Sequence, residues 1–547
     1  MEGNGGMRRI AIACQGGGSH TAFTAGALGK ILGEVRDERR YEIVALSGTS
    51  GGAVCAFLAW YALLEENNEQ EAIEALRRFW EEDNAAYLRT GDPESVADVL
   101  ANDFLSASTL LRRSSEVTLG VGFTAELNPY RYHDLFDYWR NRLKEAIEKN
   151  VRRIDPEAKD IGRSIERRVN ASNRDPRLFI GAVNTITGDF KVFKSHRHEG
   201  ESLVSNDDEE DRVGVEAVLA SAAIPTIFEA TRTGEAVYWD PSYPPDAYVG
   251  EGVYWDGLYS QNPPVRDLTE ADPHEIWVIQ INPEEIRQEP KKALEIEDRR
   301  NELSGNTSLN QELYFVRKIN ELIKRVGKWE YDYDEILRKV FRIPPPDGEE
   351  GRQKKYATIK VRRIELSMPL DVSSKLDRSR SHIEDLMQHG DRQAGHFLQT
   401  IASQIAFEES WEEILRDKTR DLDAVMGFLS EEPTIELVAP ADPSSGRPSR
   451  SDGWRAEGSE KVRAVLEWCR RHNITLEQSR DYRIYEDGPD ATVVTCWALA
   501  TSDHFGDAIK GRAEIVVREA KVERFTFYPL SSRTLHKLRL AWEALDN

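Results

Sequence analysis

The sequence predicts an α/β protein with a mainly parallel central sheet, followed by a smaller α+β domain. Residues 10–14 and 43–46 are apolar, strand-like segments, and each is followed by a loop of small residues and a helix-like segment. Alternation of strands and helices favours a parallel sheet with helices on both faces. The length of 547 residues exceeds what one hydrophobic core organises, so two or three domains are expected.

The charge of the chain limits the classes of partner. The net charge is −23 and the isoelectric point is about 5.1. Nucleic acid is therefore not expected as a partner, because its phosphates need a positive field. The same charge repels anionic membrane surfaces unless a local basic face compensates.

The larger domain is expected at residues 1–400. Residues 65–170 are charged, aromatic and helix-like, which indicates a helical cover over the sheet. Strand signals return at 178–183 and 190–193 with a turn at 187–189, a helix follows at 215–223, and residues 276–281 form another strand. The cover is expected either to act as a lid over a site or only to pack on the sheet.

The smaller domain is expected at residues 405–547. A helix at 460–471 precedes alternating segments at 482–486, 492–499, 512–518 and 522–527. A loop at 439–453, rich in proline and serine, lies inside this domain and is not read as a boundary.

Residues 43–64 carry no charge for 22 positions, which is long enough to cross a bilayer. The polar, glycine-rich centre of this segment argues against a membrane span, since broken backbone is costly in hydrocarbon. Strand, turn and buried helix are predicted instead, in a cytoplasmic protein with peripheral membrane contact as a further expectation. Cys14 and Cys55 are expected to be small buried residues, and no metal or cofactor site is implied.

The sharp turn between the second strand and its helix carries the strongest chemical signal. Gly48, Ser50 and Gly52 fit the pattern G-x-S-x-G, in which a serine hydroxyl is exposed at a strand-to-helix turn. The helix that follows directs its N-terminal amides toward developing negative charge. The interpretation is a nucleophile, and the alternative is a plain turn of small residues.

A loop of three glycines, Gly16, Gly17 and Gly18, follows the first strand. Backbone amides at such a helix start can hold an anion, here the oxyanion of an acyl-transfer reaction. A plain tight turn and a nucleotide site are the alternatives. The nucleotide site is disfavoured because neither a P-loop ending nor dinucleotide spacing is present.

The residues alone leave several candidates for the base that would accept the serine proton. His274 and His382 lie downstream but are flanked by charged residues. Asp256 and Asp240 each follow an aromatic segment, and Asp256 precedes Gly257, so a carboxylate there would be held at a strand end. Asp256 is favoured over Asp240.

These residues together resemble the patatin-like phospholipases, lipid acyl hydrolases that use a Ser–Asp dyad. The matching features are the three-glycine loop, the turn around Ser50, the pair Asp256-Gly257, the stretch at 220–225 and the Asn262-Pro263 region, and they span about residues 1–400. The resemblance implies a three-layer α/β/α fold, Ser50 as nucleophile, Asp256 as base, and Gly16 to Gly18 as oxyanion amides. It also implies a phospholipid or other acyl-ester substrate.

One position departs from the family pattern. The family loop usually carries a basic residue and a glycine after the three glycines, whereas this chain has Ser19, His20 and Thr21. His20 is expected either to anchor the loop or to lie behind it without direct chemistry. The functional alternatives are a carboxylesterase or thioesterase with a Ser-Asp-His triad and a non-catalytic scaffold that binds lipid.

The smaller domain resembles the NTF2-like (SnoaL-like) domains. The matching stretches are 421–426, 435–438 and 518–522. The resemblance implies an enzyme, a binding module or a homodimer contact. Asp481, Asp503 and His504 are expected to face solvent in loops, with a pocket lining as the alternative.

Overall fold

The chain consists of two compact units. The computed structural model describes residues 7–88, 95, 98–99, 102, 133–172, 176–196, 213–225, 228–233, 252–286, 289–291, 293–326, 358–368, 370, 373–416, 421–437, 454–472, 475–478, 482–486, 491–501, 509–518 and 521–529. The first unit comprises Met1–Lys360 and Met368–Arg392, and the second comprises Val361–Ser367 and Gln393–Asn547. The segment 361–367 thus belongs with the second unit, although it lies within the expected larger domain.

The first unit is built on a mainly parallel sheet. Its strands are β1 (Arg8–Cys14), β2 (Tyr41–Gly48), β3 (Arg177–Asn184), β4 (Phe190–Lys194), β5 (Thr231–Thr233), β6 (Gly252–Asp256) and β7 (Glu275–Gln280). Strands β7, β1, β2 and β3 are parallel neighbours in that order. Strands β4 and β6 pair antiparallel with β3, and β5 pairs antiparallel with β6.

The α-helices of the first unit precede or follow these strands along the chain. They are α1 (Ala22–Glu38), α2 (Gly51–Leu63), α3 (Glu69–Arg77), α4 (His133–Ile154), α5 (Ile161–Ala171), α6 (Val215–Ser221), α7 (Ala293–Val326) and the first part of α8 (Arg380–Arg416). Every residue of α2 from Gly52 to Leu63 is buried, as expected for its uncharged sequence.

The core lies where apolar strands are covered. Residues Ile10 to Cys14 of β1 are fully buried, and every residue of β7 is buried. Strands that are buried on both faces have continuous apolar sequences, and the sequence has such runs at 10–14 in β1 and at 276–279 in β7. Cys14 and Cys55 are buried free thiols, as predicted.

The second unit is mixed α+β. Its strands are β8 (Lys360–Glu365, of which Val361 onward lies in this unit), β9 (Leu429–Leu437), β10 (Trp454–Glu457), β11 (Thr475–Gln478), β12 (Tyr482–Glu486), β13 (Ala491–Thr501), β14 (Ile509–Arg518) and β15 (Lys521–Pro529). Strands β12 to β15 form an antiparallel meander, β9 pairs parallel with β15, and β8 pairs parallel with β12. The helices are the second part of α8, α9 (Asp423–Met426) and α10 (Ser459–Arg471), and α10 buries Val462, Val465 and Trp468.

Most elements that the sequence predicts are present. The predicted strands at 482–486, 492–499, 512–518 and 522–527 correspond to β12 to β15, and the predicted helix at 460–471 corresponds to α10. The predicted cover at 65–170 is described only in part, as α3, α4 and α5. Among the described residues, no helix has both the length and the apolar character needed to cross a bilayer.

Candidate active site

Ser50 lies in the sharp turn that joins β2 to α2. Its backbone angles are φ 55° and ψ −129°, a region that non-glycine residues rarely occupy. The backbone on the two sides of Ser50 is in close contact, since a Cβ on Gly48 would lie 2.4 Å from the carbonyl oxygen of Gly52. Strain of this kind, held by its surroundings, is a feature of functional turns.

A second serine, Ser221, binds the backbone of this turn. The amide of Ser50 donates to Oγ of Ser221 at 2.9 Å, and the Ser221 hydroxyl donates to the carbonyl of Gly181 at 2.6 Å. Ser221 ends α6, so this helix ties the turn to β3. No sequence pattern predicts this role for Ser221, although the residue lies in the stretch 220–225 that carries part of the resemblance.

Asp256 lies at the end of β6, opposite Ala182 of β3. Its side chain is 1% exposed and accepts a hydrogen bond from the amide of Leu258 at 2.8 Å. Burial raises the pKa of Asp256 to about 7, and hydrogen bonds from Leu258 and from the Ser50 hydroxyl oppose this rise. The structure therefore brings the side chains of Ser50 and Asp256 together.

The residue after Asp256 must be small. A Cβ on Gly257 would lie 2.4 Å from the carbonyl oxygen of Gly181 and 2.9 Å from Cγ2 of Thr49. The close approach of β3 and the turn around Ser50 requires a glycine here, which is the physical reason for the Asp-Gly pair.

The three-glycine loop lies against the turn. A Cβ on Gly16 would lie 2.7 Å from Cβ of Ser50, and Gly18 has a φ of 64°. The amide of Gly16 donates to Oδ1 of Asn262 at 2.7 Å, so it is already engaged. Of the three glycines expected to supply oxyanion amides, Gly17 and Gly18 have amides with no acceptor among the described residues, whereas that of Gly16 is bound by Asn262.

His20 lies behind the glycine loop. It is buried, and its Nε2 is 2.6 Å from Oγ of Ser374. The His382 ring lies edge-on to it, with 6.1 Å between the ring centroids. His20 thus contacts the short helix Ser373–Lys375, whose Lys375 carbonyl packs against Gly18.

The remaining candidates lie elsewhere. Nδ1 of His274 accepts from the amide of Arg9 at 3.0 Å, at the start of β1. Ser50 follows the opposite end of this pair of strands, where Cys14 lies opposite Gly48, about 17 Å along the strand. Asp240, Asp481, Asp503 and His504 lie outside the described residues.

Comparison with known proteins points to one family. Residues 12–269 match the family model described as patatin-like phospholipase. No curated protein matches the chain significantly.

Comparison with solved structures gives weak similarities. VipD from Legionella pneumophila is 11% identical over 77% of this chain and 80% of its own, with a TM-score of 0.24. An NTF2-like protein of unknown function from Cytophaga hutchinsonii is 15% identical over 25% of this chain and 94% of its own, with a TM-score of 0.17. TM-scores this low do not establish a shared fold.

The matched range contains the glycine loop, the turn around Ser50, and Asp256 with Gly257. It also contains strands β2 to β6 and the end of β1, which belong to the sheet on which these residues lie. Residues 12–269, a little less than half of the chain, therefore resemble the patatin-like phospholipases.

Proposed function

We propose that the protein is a serine acyl hydrolase that cleaves ester bonds of phospholipids or related lipids, with Ser50 as nucleophile and Asp256 as general base. The observation that carries this proposal is a buried carboxyl group close to the hydroxyl of a serine in a strained turn. A nucleophile paired with a base at hydrogen-bond distance is the arrangement that acyl transfer requires.

The reaction would proceed in two stages. Asp256 accepts the proton of Ser50 as Oγ attacks the ester carbonyl, and it returns that proton to the leaving alcohol when the tetrahedral intermediate collapses. Water, deprotonated by the same carboxylate, then attacks the acyl-enzyme, and Asp256 returns that proton to Oγ of Ser50 as the fatty acid leaves. A pKa near 7 suits both roles, because the carboxylate must gain and lose a proton near neutral pH.

The amides of Gly17 and Gly18 are the proposed donors to the oxyanion. Gly17 precedes the short helix Gly18–Thr21 and Gly18 is its first residue, so both lie at a helix start beside Ser50. The amide of Gly51, the first residue of α2, is a third donor in the position that follows a nucleophile at such turns.

The test is turnover of a short-chain acyl ester together with labelling by a fluorophosphonate probe. Ser50→Ala and Asp256→Asn are each expected to lower kcat by at least about a thousandfold, because nucleophile and base act as one unit. Ser47→Ala is the matched control. Ser47 is buried in β2, the strand that leads into the turn around Ser50. Its hydroxyl finds no partner among the described residues.

Each alternative predicts a different outcome. A Ser-Asp-His triad predicts that His274→Ala or His382→Ala also abolishes turnover. A lipid-binding scaffold predicts no labelling of Ser50 in the folded protein. Full activity in both Ser50→Ala and Asp256→Asn contradicts the dyad.

For the second unit we propose an NTF2-like fold that serves as a binding or dimerisation module. The antiparallel meander β12 to β15 and the helix α10 packed beside β9 and β10 support this proposal. Sedimentation of the full chain across a range of concentrations tests the dimer, and a monomer at every concentration contradicts it.

A further inference from the structure

Asn262 links the glycine loop to the segment that carries Asp256. It lies six residues after Asp256 and is fully buried. Its Oδ1 accepts from the amide of Gly16 at 2.7 Å, and its Nδ2 donates to the carbonyl of Gly16 at 3.4 Å. One side chain therefore holds both backbone polar groups of the first glycine in the loop.

Gln15, the residue directly before the glycine loop, binds the segment that follows β7. Its Oε1 accepts from the amides of Ile281 and Asn282 at 2.9 and 2.8 Å. Its Nε2 donates to Oδ1 of Asn306 at 3.1 Å, and it also lies 3.5 Å from the carbonyl of Asn262. Gln15 is fully buried, so these hydrogen bonds are made away from water, where an unmade one would be costly.

Helix α7 supports both Gln15 and Asn262. Besides Asn306, it contributes Ser308, whose hydroxyl donates to the carbonyl of Ser260 at 2.6 Å and accepts from the amide of Asn262 at 3.3 Å. Glu312, six residues after Asn306, accepts from Nε2 of Gln261 at 3.1 Å and from the amide of Arg266 at 2.8 Å. The segment 260–266 is therefore fixed on this helix by the side chains of Ser308 and Glu312.

The position of Gly16 bears directly on Ser50. A Cβ on Gly16 would lie 2.3 Å from the carbonyl oxygen of Thr49 and 2.7 Å from Cβ of Ser50, so the two backbones touch. Gly17 and Gly18 follow Gly16 without an intervening residue. A displacement of Gly16 would move their amides relative to the hydroxyl of Ser50.

We propose that Asn262 is a positioning residue that sets the amides of Gly17 and Gly18 relative to Ser50, with Gln15 and Asn306 as its support. This inference rests on the proposed hydrolase function. Because Asn262 follows Asp256 by six residues and its segment 260–266 is held by α7, a shift of this segment would affect both the oxyanion donors and the chain that leads to the base. A misplacement of about 1 Å in such a constellation can lower the rate by about a hundredfold.

Asn262→Ala and Asn262→Asp test the inference in the full chain, with a short-chain acyl ester as substrate. Asn262→Ala is expected to lower kcat by about ten- to a hundredfold while KM stays within about twofold, since the oxyanion amides act on the transition state. Asn262→Asp keeps an acceptor for the Gly16 amide but places a second oxygen near the Gly16 carbonyl, so its kcat should lie between wild type and Asn262→Ala.

Fluorophosphonate labelling separates positioning from loss of folded protein. The final stoichiometry of labelled Ser50 should match wild type, whereas the rate of labelling should fall together with kcat. Asn310→Ala is the matched control, because Asn310 is an exposed asparagine on α7, the helix that supports Asn262. Its kcat should equal that of wild type.

The outcomes that overturn the inference differ from those that overturn the hydrolase. Asn262→Ala with a kcat within about twofold of wild type refutes the positioning role. An equal loss of kcat in Asn262→Ala and Asn262→Asp, with a raised KM and a lowered labelling stoichiometry, also refutes it. A wild-type protein that neither turns over the ester nor reacts with the probe refutes the proposed function itself, and the inference falls with it.

Discussion

At the scale of single residues, the site combines two unfavourable features that only the surrounding fold maintains. Ser50 adopts a strained backbone conformation, and Asp256 is a carboxyl group removed from water. Both cost stability, and both serve the proposed chemistry, because the strained turn fixes the position of the hydroxyl and burial makes the carboxylate a better base.

The pKa of Asp256 gives a prediction for the pH dependence of activity. The base must be unprotonated, and burial raises its pKa to about 7. We therefore expect kcat/KM for a neutral short-chain ester to rise with pH through about 7 and to level off above it. A pH–rate profile from pH 5 to 9 measures this, and a profile that is flat down to pH 5 would contradict the assignment of Asp256 as base.

The same pKa gives a prediction for stability. Because the folded pKa of about 7 lies above the usual value of 3.8, the folded state binds more protons than the unfolded state between these pH values. The contribution of Asp256 to the free energy of unfolding therefore falls as pH rises from about 4 to 7.

Asp256→Asn removes this buried charge and should raise the free energy of unfolding above pH 7. The gain is at most a few kcal/mol, since one pKa unit corresponds to about 1.4 kcal/mol. Denaturant unfolding of both proteins at pH 5 and pH 8 measures it. The difference should be larger at pH 8, and a variant that is less stable than wild type at pH 8 contradicts the prediction.

At the scale of elements, glycines let helices α1 and α8 meet closely in the first unit. A Cβ on Gly26 of α1 would lie 2.0 Å from the carbonyl oxygen of Met387, and a Cβ on Gly390 of α8 would lie 2.1 Å from that of Phe23. Backbone atoms cannot move aside as a side chain can. The crossing therefore depends on the two glycines, and α1 in turn follows the glycine loop.

Two glycines in α1 offer a matched test of this crossing. A Cβ on Gly33 would meet nothing within 4 Å, so Gly33→Ala should stabilise the protein by about 0.5–1 kcal/mol through helix propensity. Gly26→Ala should destabilise it by about 1–3 kcal/mol or more, as overpacking does. Thermal or denaturant unfolding measures both, and equal effects of the two substitutions would show that the close approach is unimportant.

At the scale of the whole molecule, the net charge of −23 governs any encounter with a lipid surface. Such a charge repels anionic surfaces at low ionic strength, and salt screens the repulsion over a Debye length of about 10 Å at 0.1 M. An acyl hydrolase with this charge should encounter zwitterionic surfaces more readily than anionic ones.

This charge predicts the vesicle preference of the proposed hydrolase. Turnover should be several-fold lower on phosphatidylglycerol-rich vesicles than on phosphatidylcholine vesicles at low salt, and added salt should reduce the difference. Turnover of a soluble neutral ester is the control, and it should not respond to salt in the same way. Faster turnover on the anionic vesicles at low salt would indicate a basic docking face that overrides the net charge.

Local sequence signals predict much of the fold. The apolar runs of β1 and β7, the uncharged segment of α2 and the alternating strands β12 to β15 are visible in the sequence, because periodicity and propensity act over a few neighbouring residues. The turn around Ser50 is visible for the same reason, since its glycines are adjacent. The contact of β8 with β12 is not, because it joins residues more than a hundred positions apart.

The sequence by itself determined the order of strands and helices, the serine turn, the glycine loop and a short list of carboxylates. The tertiary structure decided that Asp256 is buried near Ser50, that Ser221 holds the amide of Ser50 from 171 positions away, and that Asn262 engages Gly16 across 246 positions. The physical reason is that these hydrogen bonds and the burial of Asp256 exist only after distant segments pack together, so no local pattern records them.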